Sequence, residues 1–398
     1  MKLEDKLSDA ALRMKRSIVR EMLKLTKNES IISFSPGMPD PSVFPAKELS
    51  EVTQRVLERE GEIALQYSPT EGNDRLKETL IEFLAEDGVQ TTSDNILVIT
   101  ASQQGLDLST KVFINPGDHI VCELPTFLAA IGAFFTYGAE LVGVPLDDDG
   151  MTTSILRERL GRLRKSPKII YVIPDFQNPA GVTMSLSRRH EVLDLAEEYD
   201  VLVLEDSPYR SLRYKGENIP SFQELDRSGR VITIYTFSKI LSPGLRLGWI
   251  VASPEVVSRL VTAKQSTDAC TPAFTQCIVN EFCRRNLLSK HIEKLKVIYK
   301  EKMNAMLQAL EDYMPDKVRW TRPEGGLFLW VTLPANIDAS SMLPDAIREE
   351  SVAYTPGAAF FPDGAGHNTM RLNFSYPSIS QIRSGVERLA RMIRKKLN

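Results

Sequence analysis

Seven short apolar runs, most of them rich in β-branched residues, recur through the first two thirds of this 398-residue chain: Ile96 to Thr100, His119 to Glu123, Leu141 to Val144, Ile169 to Ile173, Val201 to Leu204, Val231 to Tyr235 and Leu247 to Ala252. Each has the length of a strand, and near-continuous apolarity marks strands buried on both faces. Helical patterns lie between several of them. The clearest is Val192, Leu195, Ala196 and Tyr199, spaced i, i+3, i+4, i+7 behind a candidate N-cap, Ser187. Strands alternating with helices need crossover connections, so the expected fold is α/β: a mostly parallel seven-stranded sheet with helices on both faces.

After about residue 285 the texture changes. Lys294 to Leu310 is long, charged and helix-prone, Gly326 to Leu333 and Thr369 to Phe374 read as strands, and a basic amphipathic helix closes the chain. The expected division is a large domain over residues 46–285 and a smaller α+β domain over 286–398. Residues 1–45 hold a helical stretch, Leu12 to Leu25, and a loop, Ser35-Pro36-Gly37-Met38-Pro39-Asp40. This segment is expected to pack with the small domain and the active site.

Lys plus Arg is 49 and Asp plus Glu is 52, a balance that argues against a general nucleic-acid binder. The least polar stretch, Phe127 to Pro145, is broken by Gly132, Thr136, Gly138, Glu140 and Gly143, which suits core rather than membrane. The opening Met1-Lys2-Leu3-Glu4-Asp5-Lys6 is mixed in charge and does not read as a signal peptide. Cys122, Cys270, Cys277 and Cys283 contain no C-x-x-C pair, so reduced thiols in a cytoplasmic protein are expected. The four histidines are scattered without an H-E-x-x-H, which argues against a metal enzyme.

In an open α/β sheet ligands bind beyond the carboxyl ends of the strands. After the first run comes Ala101-Ser102-Gln103-Gln104-Gly105, a helix start that reads either as a plain serine cap or as a phosphate cradle. After the fourth comes Asp175-Phe176-Gln177-Asn178-Pro179-Ala180-Gly181, which alone is an ordinary turn. After the fifth, Glu205 and Asp206 are either a solvent-facing pair or buried carboxylates that need a cation or a donor. After the sixth, Lys239 is either a surface lysine or an amine made neutral by burial and a neighbouring cation. Taken together, successive strand ends supply a phosphate cradle, an asparagine, a carboxylate, a tyrosine, an amine and an arginine.

These segments resemble the fold-type I, pyridoxal-phosphate-dependent aminotransferases of class I/II, from about Arg20 to Arg371. Asn178 precedes Asp206 by 28 residues; Asp206 precedes Tyr209 by 3 and Lys239 by 33; Lys239 precedes Arg246 by 7. The family pattern S-x-S-K-x-x-x-P-G-x-R is met from Thr236 to Arg246, with Thr in place of the first Ser. The resemblance implies pyridoxal 5'-phosphate as cofactor. It implies that Lys239 holds the cofactor as a Schiff base and shuttles the substrate proton, that Asp206 faces the pyridine nitrogen, and that Tyr209 and Asn178 bond the phenolic oxygen. Ser102, Gln103, Thr236, Ser238 and Arg246 would hold the phosphate. Phe127 stands where the family usually has a ring-stacking Tyr, and otherwise reads as a core phenylalanine. Tyr67 matches a tyrosine that reaches the phosphate of a neighbouring subunit, which implies a homodimer. Arg371 matches the arginine that grips the substrate's α-carboxylate, and would otherwise be a surface strand arginine. Asn178 and Tyr67 would also meet the substrate. Gly37 would let backbone approach it closely.

Within the class the sequence is most similar to the α-aminoadipate and kynurenine (aromatic) aminotransferase group, through Ala64 to Gly72, Asp175 to Gly181 and Thr321 to Trp330. Arg20 sits where that group can meet a distal carboxylate, and equally reads as a solvated helix arginine. The activity implied is ping-pong transfer of an amino group from 2-aminoadipate, glutamate, aromatic or branched aliphatic amino acids to a 2-oxo acid, 2-oxoglutarate being the expected acceptor. Two other readings share the fold: a lyase or racemase using the same cofactor, and an aminotransferase-like regulatory domain. No membrane or nucleic-acid partner is expected.

Overall fold

The computed structural model describes residues 3–14 and 30–397. All seven apolar runs become strands of one sheet. Its spatial order is Ile96–Ile99, Gly248–Val251, Val231–Thr236, Leu202–Asp206, Ile169–Val172, His119–Leu124, Glu140–Asp147 and Gly150–Met151. The eighth member is a two-residue strand folded back antiparallel on Glu140–Asp147, too short to announce itself as an apolar run. Gly248–Val251 runs antiparallel between Ile96–Ile99 and Val231–Thr236, and the four pairings from Val231–Thr236 across to Glu140–Asp147 are parallel.

Because side chains alternate across a strand, each buried run divides its residues between two apolar layers. Ile170, Val172 and Val203 join Val192, Leu195 and Ala196 in one layer. Ile169, Tyr171 and Leu204 belong to the larger core on the opposite face. That division decides what happens at the next two positions, Glu205 and Asp206, which must point to opposite sides of the sheet.

The helix carrying Val192 and Leu195 spans Leu186–Glu198. Its cap is Ser185, whose side chain accepts from Arg188 N, and not Ser187, which lies inside the first turn. Two neighbouring serines compete for the role, and the one followed by helical backbone at the next residue takes it. The expected helix Leu12 to Leu25 is not continuous. Leu12 and Arg13 end a short helix, Asp9–Arg13, and Met14 is extended; Arg20 and the rest of that stretch lie outside the described residues.

The smaller unit is a four-stranded antiparallel sheet in the order Arg319–Trp320, Phe328–Thr332, Thr369–Asn373 and Thr355–Pro356. Helices Leu287–Tyr313, Ala339–Glu350 and Ile379–Leu397 accompany it. The N-terminal segment adds to this unit: Ile32–Ser33 pairs in parallel with Val352–Ala353. Phe34 then packs on Gly385, where any Cβ would lie 2.5 Å from its ring. The following loop is tied down by Ser35 Oγ, 3.0 Å from Thr355 Oγ1, and by the buried Lys302, which donates to Asp40 (2.5 Å) and to Ser375 O (2.8 Å). The Ser-Pro-Gly loop is thereby carried from the small unit to the carboxyl ends of the large sheet.

Candidate active site

A cavity of about 320 Å³ opens at those strand ends, and its lining includes Gly37 from the N-terminal loop, Phe328 and Arg371 from the small sheet, and Asp206 and Lys239 from the large one. The sheet geometry explains Asp206. It shares the face of Leu204 and Tyr171, and its Oδ2 accepts from Tyr171 OH at 2.9 Å. Its Oδ1 is buried and unpartnered. Burial pushes the carboxyl up from 3.8 to about 7, against the lowering influence of the Tyr171 hydrogen bond and of Lys239. Glu205, one residue earlier, is buried on the other face, where it accepts from Phe222 N, Gln223 N and Thr233 Oγ1. The solvent-facing reading of the pair is therefore corrected: both carboxylates are internal, and only Asp206 faces the cavity.

Lys239 follows the Val231–Thr236 strand by three residues. Its Nζ donates to Gly37 O at 2.7 Å. Burial, and then the charges of Arg371 and Arg246, lower the amine from 10.5 to about 8. At neutral pH it is thus far closer to its neutral, nucleophilic form than a surface lysine.

Arg371 comes from the centre of the small sheet, paired with Trp330 on one side and Thr355 on the other. It is 1% exposed, which removes the surface-arginine alternative. Its guanidinium donates to Asn178 Oδ1 (2.9 Å) and Ser35 O (2.8 Å) and lies 4.1 Å from the ring centre of Phe328 and 5.0 Å from that of Phe360. Burial brings it down to about 10, still a cation at neutral pH. No carboxylate neutralises it among the described residues that bond it, and its Nε is buried without a partner. A buried, uncompensated guanidinium is costly and suits an anionic ligand. Asn178 also donates to Tyr209 OH at 3.4 Å, and burial holds that phenol well above its ordinary range.

The opposite end of the cavity is the cradle expected for a phosphate. Ser102 lies in the first turn of helix Ala101–Phe113, so it is not the cap; Thr100 is, and its N–H is taken by Gln104 Oε1 (2.8 Å). Ser102, Gln103, Ser238 and Arg246 line the cavity. Arg246 is in the left-handed region (φ 50°), which ends the short Pro243–Leu245 turn. Thr236 does not line the cavity. Its Oγ1 accepts from Ser238 N (3.1 Å) and lies 2.9 Å from Ser238 Oγ, so it braces Ser238 instead of facing the site itself.

Phe127, the cap residue of helix Leu128–Thr136, lines the same cavity and is half-buried. A Cβ added at Gly37 would meet Phe328 at 3.5 Å and the Arg371 guanidinium at 3.9 Å. These are ordinary contacts, so glycine here keeps the space beside Arg371 open rather than relieving a clash. Tyr67 is 84% exposed and outside the cavity of a single chain. Arg20 lies outside the described residues.

Sequence reasoning missed the residues that hold the named ones. Tyr171 anchors Asp206. Gln177 Nε2 donates to Glu123 Oε2 (3.0 Å) and Pro125 O (2.8 Å), fixing the loop that carries Asn178. Glu123, also bonded by Ile173 N, is raised to about 8 by burial. The one available signal was period two: Tyr171 is the hydroxyl-bearing residue of its run on the face that Asp206 shares.

The donor set fits pyridoxal phosphate. It offers an unpartnered buried carboxylate oxygen for a protonated ring nitrogen, an amine of lowered basicity for an aldehyde, and hydroxyls, a helix start and a guanidinium for a dianion.

Comparison with known proteins gives the same answer. The family described as aminotransferase class I and II matches residues 31–389. An aromatic-amino-acid aminotransferase of Thermococcus litoralis is 47% identical over 398 residues, covering 99% of this chain and 95% of the relative. The crystal structure of a Pyrococcus horikoshii kynurenine aminotransferase, in complex with PMP, superposes with a TM-score of 0.96 at 46% identity, covering 100% of this chain and 99% of that one. An α-aminoadipate aminotransferase from Thermus thermophilus, complexed with N-(5'-phosphopyridoxyl)-L-leucine, does so with a TM-score of 0.92 at 39% identity and the same coverage.

Proposed function

This chain belongs to the class I and II aminotransferase family, and on that premise we propose that it moves the amino group of aromatic, branched aliphatic and 2-aminoadipate-like amino acids, or of glutamate, to a 2-oxo acid, with 2-oxoglutarate as the usual acceptor. It is a pyridoxal-phosphate-dependent aminotransferase. The observation that carries the finer reading is the meeting, in one small cavity, of a low-basicity amine at Lys239, a free carboxylate oxygen at Asp206 and an uncompensated guanidinium at Arg371.

When bound, pyridoxal phosphate supplies an aldehyde that receives the amino group and a protonated ring that draws electrons from the substrate's Cα. Each residue has a defined task around it. Lys239 Nζ holds the cofactor between turnovers, and once released it takes the proton from Cα and returns it on the cofactor side. Asp206 Oδ1 keeps the proton on the ring nitrogen. Tyr209 and Asn178 bond the phenolic oxygen. Ser102, Gln103, Ser238 and Arg246 hold the phosphate, with Thr236 behind Ser238. Arg371 binds the α-carboxylate, so that the C–H bond and not the bond to the carboxylate is weakened. The two half-reactions use one site in turn, which is the ping-pong order.

Substrate breadth follows from the rest of the lining. Met38, Phe127, Leu128 and Phe328 make an apolar wall suited to aromatic and aliphatic side chains. Among the described residues that line the cavity, the cations are Lys239, Arg246 and Arg371, each already committed. A distal carboxylate, as in aminoadipate or glutamate, therefore needs a further cation, and Arg20 is the residue we assign to it. Arg20→Ala would then lower kcat/KM for glutamate more than for leucine; equal losses would remove the assignment.

Tyr67, exposed on the single chain together with the neighbouring Leu65 (74%), is consistent with a homodimer in which it completes the partner's phosphate site. The cysteines are unpaired, which suits the reducing cytoplasm. No described helix is long and apolar enough to cross a membrane.

The deciding experiment is a visible-absorption survey of the purified holoprotein. Each amino-acid donor should bleach the cofactor band and 2-oxoglutarate should restore it. Racemised alanine, or pyruvate released from a cysteine conjugate with no oxoglutarate-dependent recovery, would overturn the transamination reading.

A further inference from the structure

Nothing in an aspartate by itself decides which of its two oxygens meets the ring nitrogen or where the shared proton rests. At Asp206, Tyr171 does both. It is fully buried in the strand Ile169–Val172, next to the strand that ends in Asp206, and Tyr171 pairs with Leu204 two positions before Asp206. Its ring is wedged edge-on against Phe134, 5.3 Å between centres. The hydroxyl has no route to solvent and donates to Asp206 Oδ2 at 2.9 Å, while Oδ1 is left unpartnered toward the cavity.

A phenylalanine would fill this space as well, and a buried hydroxyl is costly unless its hydrogen bond returns something. We propose that Tyr171 is a positioning residue for Asp206: its hydrogen bond fixes the carboxylate so that Oδ1 alone meets the ring nitrogen of the bound cofactor, and it keeps the proton on that nitrogen rather than on the aspartate. The inference rests on the role given to Asp206 under the proposed function.

The chemistry has a definite sign. A hydrogen bond donated to a carboxylate stabilises its charged form and makes it a weaker base. The other groups bearing on this carboxylate are Lys239, which also favours the charge, and Glu205 and Glu123, which oppose it. Burial is the largest influence and favours the neutral acid, so the carboxylate is poised where one hydrogen bond matters. Tyr171 is itself held far above the ordinary phenol range by burial and by Asp206, and so remains a donor throughout the working pH range. Without the hydroxyl, Asp206 becomes the stronger base and pulls the proton off the ring nitrogen.

The test uses apoprotein reconstituted with pyridoxal phosphate labelled with ¹⁵N in the ring, and with an analogue that has C–H in place of the ring nitrogen. In Tyr171→Phe, affinity for pyridoxal phosphate should fall about tenfold, the loss expected for a hydrogen bond to a charged group, while affinity for the analogue changes less than about twofold. The ¹⁵N resonance should move toward the unprotonated value. In an Asp206→Asn background the Tyr171→Phe change should add less than about twofold. Equal weakening of both ligands, an undiminished loss in the asparagine background, or an unmoved resonance would each overturn the proposal by showing that Tyr171 only fills space. 3-Fluorotyrosine at position 171, nearly the same size but a stronger donor, should move the resonance toward the protonated side; this readout stands even if the Phe variant folds poorly, and no movement would count against the proposal. Failure of wild-type protein to bind pyridoxal phosphate more tightly than the analogue is a distinct result, which would defeat the role of Asp206 itself.

Discussion

Replacing Asp206 with asparagine should make the apoprotein more stable while destroying its activity. The carboxyl is 2% exposed and its Oδ1 has no partner, so burial raises it from 3.8 to about 7. At about 1.4 kcal/mol for each tenfold change in proton affinity, holding it charged in the folded apoprotein costs about 4 kcal/mol. Asparagine keeps an acceptor for Tyr171 but turns an amide toward the cavity, at a cost of about 1–2 kcal/mol, so the net gain is about 2–3 kcal/mol. The sign follows from linkage. Between pH 4 and 7 the folded state holds the Asp206 proton after the unfolded chain has lost it, so wild-type apoprotein loses stability as pH rises through that window. The advantage of the asparagine variant is therefore small at pH 5 and complete by pH 8. With unfolding entropy of about 2.1 cal/mol/K per residue, the gain at pH 8 corresponds to about 2–4 °C in Tm. Calorimetry of the cofactor-free proteins at both pH values reads this directly. An asparagine variant that is no more stable at pH 8, or whose advantage is the same at pH 5, would show that the carboxylate is not held charged against burial. With pyridoxal phosphate bound the order should reverse, because the wild-type carboxylate then has a cationic partner.

Three further outcomes follow. Arg371→Lys should lower kcat/KM for every α-amino acid by about 100-fold, the loss of one bidentate charged pair, while leaving the cofactor's absorbance in place; an unchanged kcat/KM would remove Arg371 from the substrate site. Capture of pyridoxal phosphate by the apoprotein needs the neutral Lys239 amine, so its rate should rise about tenfold per pH unit up to about pH 8 and then level off, as stopped-flow absorbance would show, and a flat profile from pH 6 to 8 would contradict it. Tyr67→Phe should speed cofactor release about tenfold without changing the oligomeric state by size-exclusion chromatography; unaltered release would place Tyr67 away from the phosphate.

The large sheet was legible because its strands are buried on both faces, so each shows as an unbroken apolar run; the edge strand Gly150–Met151, two residues long, leaves no such trace. The residues that face the cavity were legible through spacing, since Asp206, Lys239 and Arg246 each lie at or just past a strand end or turn. What could not be read were contacts between segments distant in the chain. Ser35 and Arg371 are 336 residues apart and share a hydrogen bond, and Lys239 bonds the Gly37 carbonyl across 202 residues. The N-cap of Leu186–Glu198 was misplaced by two residues because Ser185 and Ser187 present the same chemistry and only backbone conformation separates them. Thr236 conforms to a phosphate-binding pattern yet turns its hydroxyl to Ser238, a choice made by the Phe237-to-Leu247 backbone pairing that no motif records.

The central claim is that Lys239 is the residue that carries the cofactor, and borohydride reduction of the holoprotein followed by peptide mass analysis tests it most directly. The account predicts a phosphopyridoxyl group on the peptide containing Lys239 and nowhere else in stoichiometric amount. A stoichiometric label on any other lysine, or cofactor that washes away unlabelled after reduction, would contradict it.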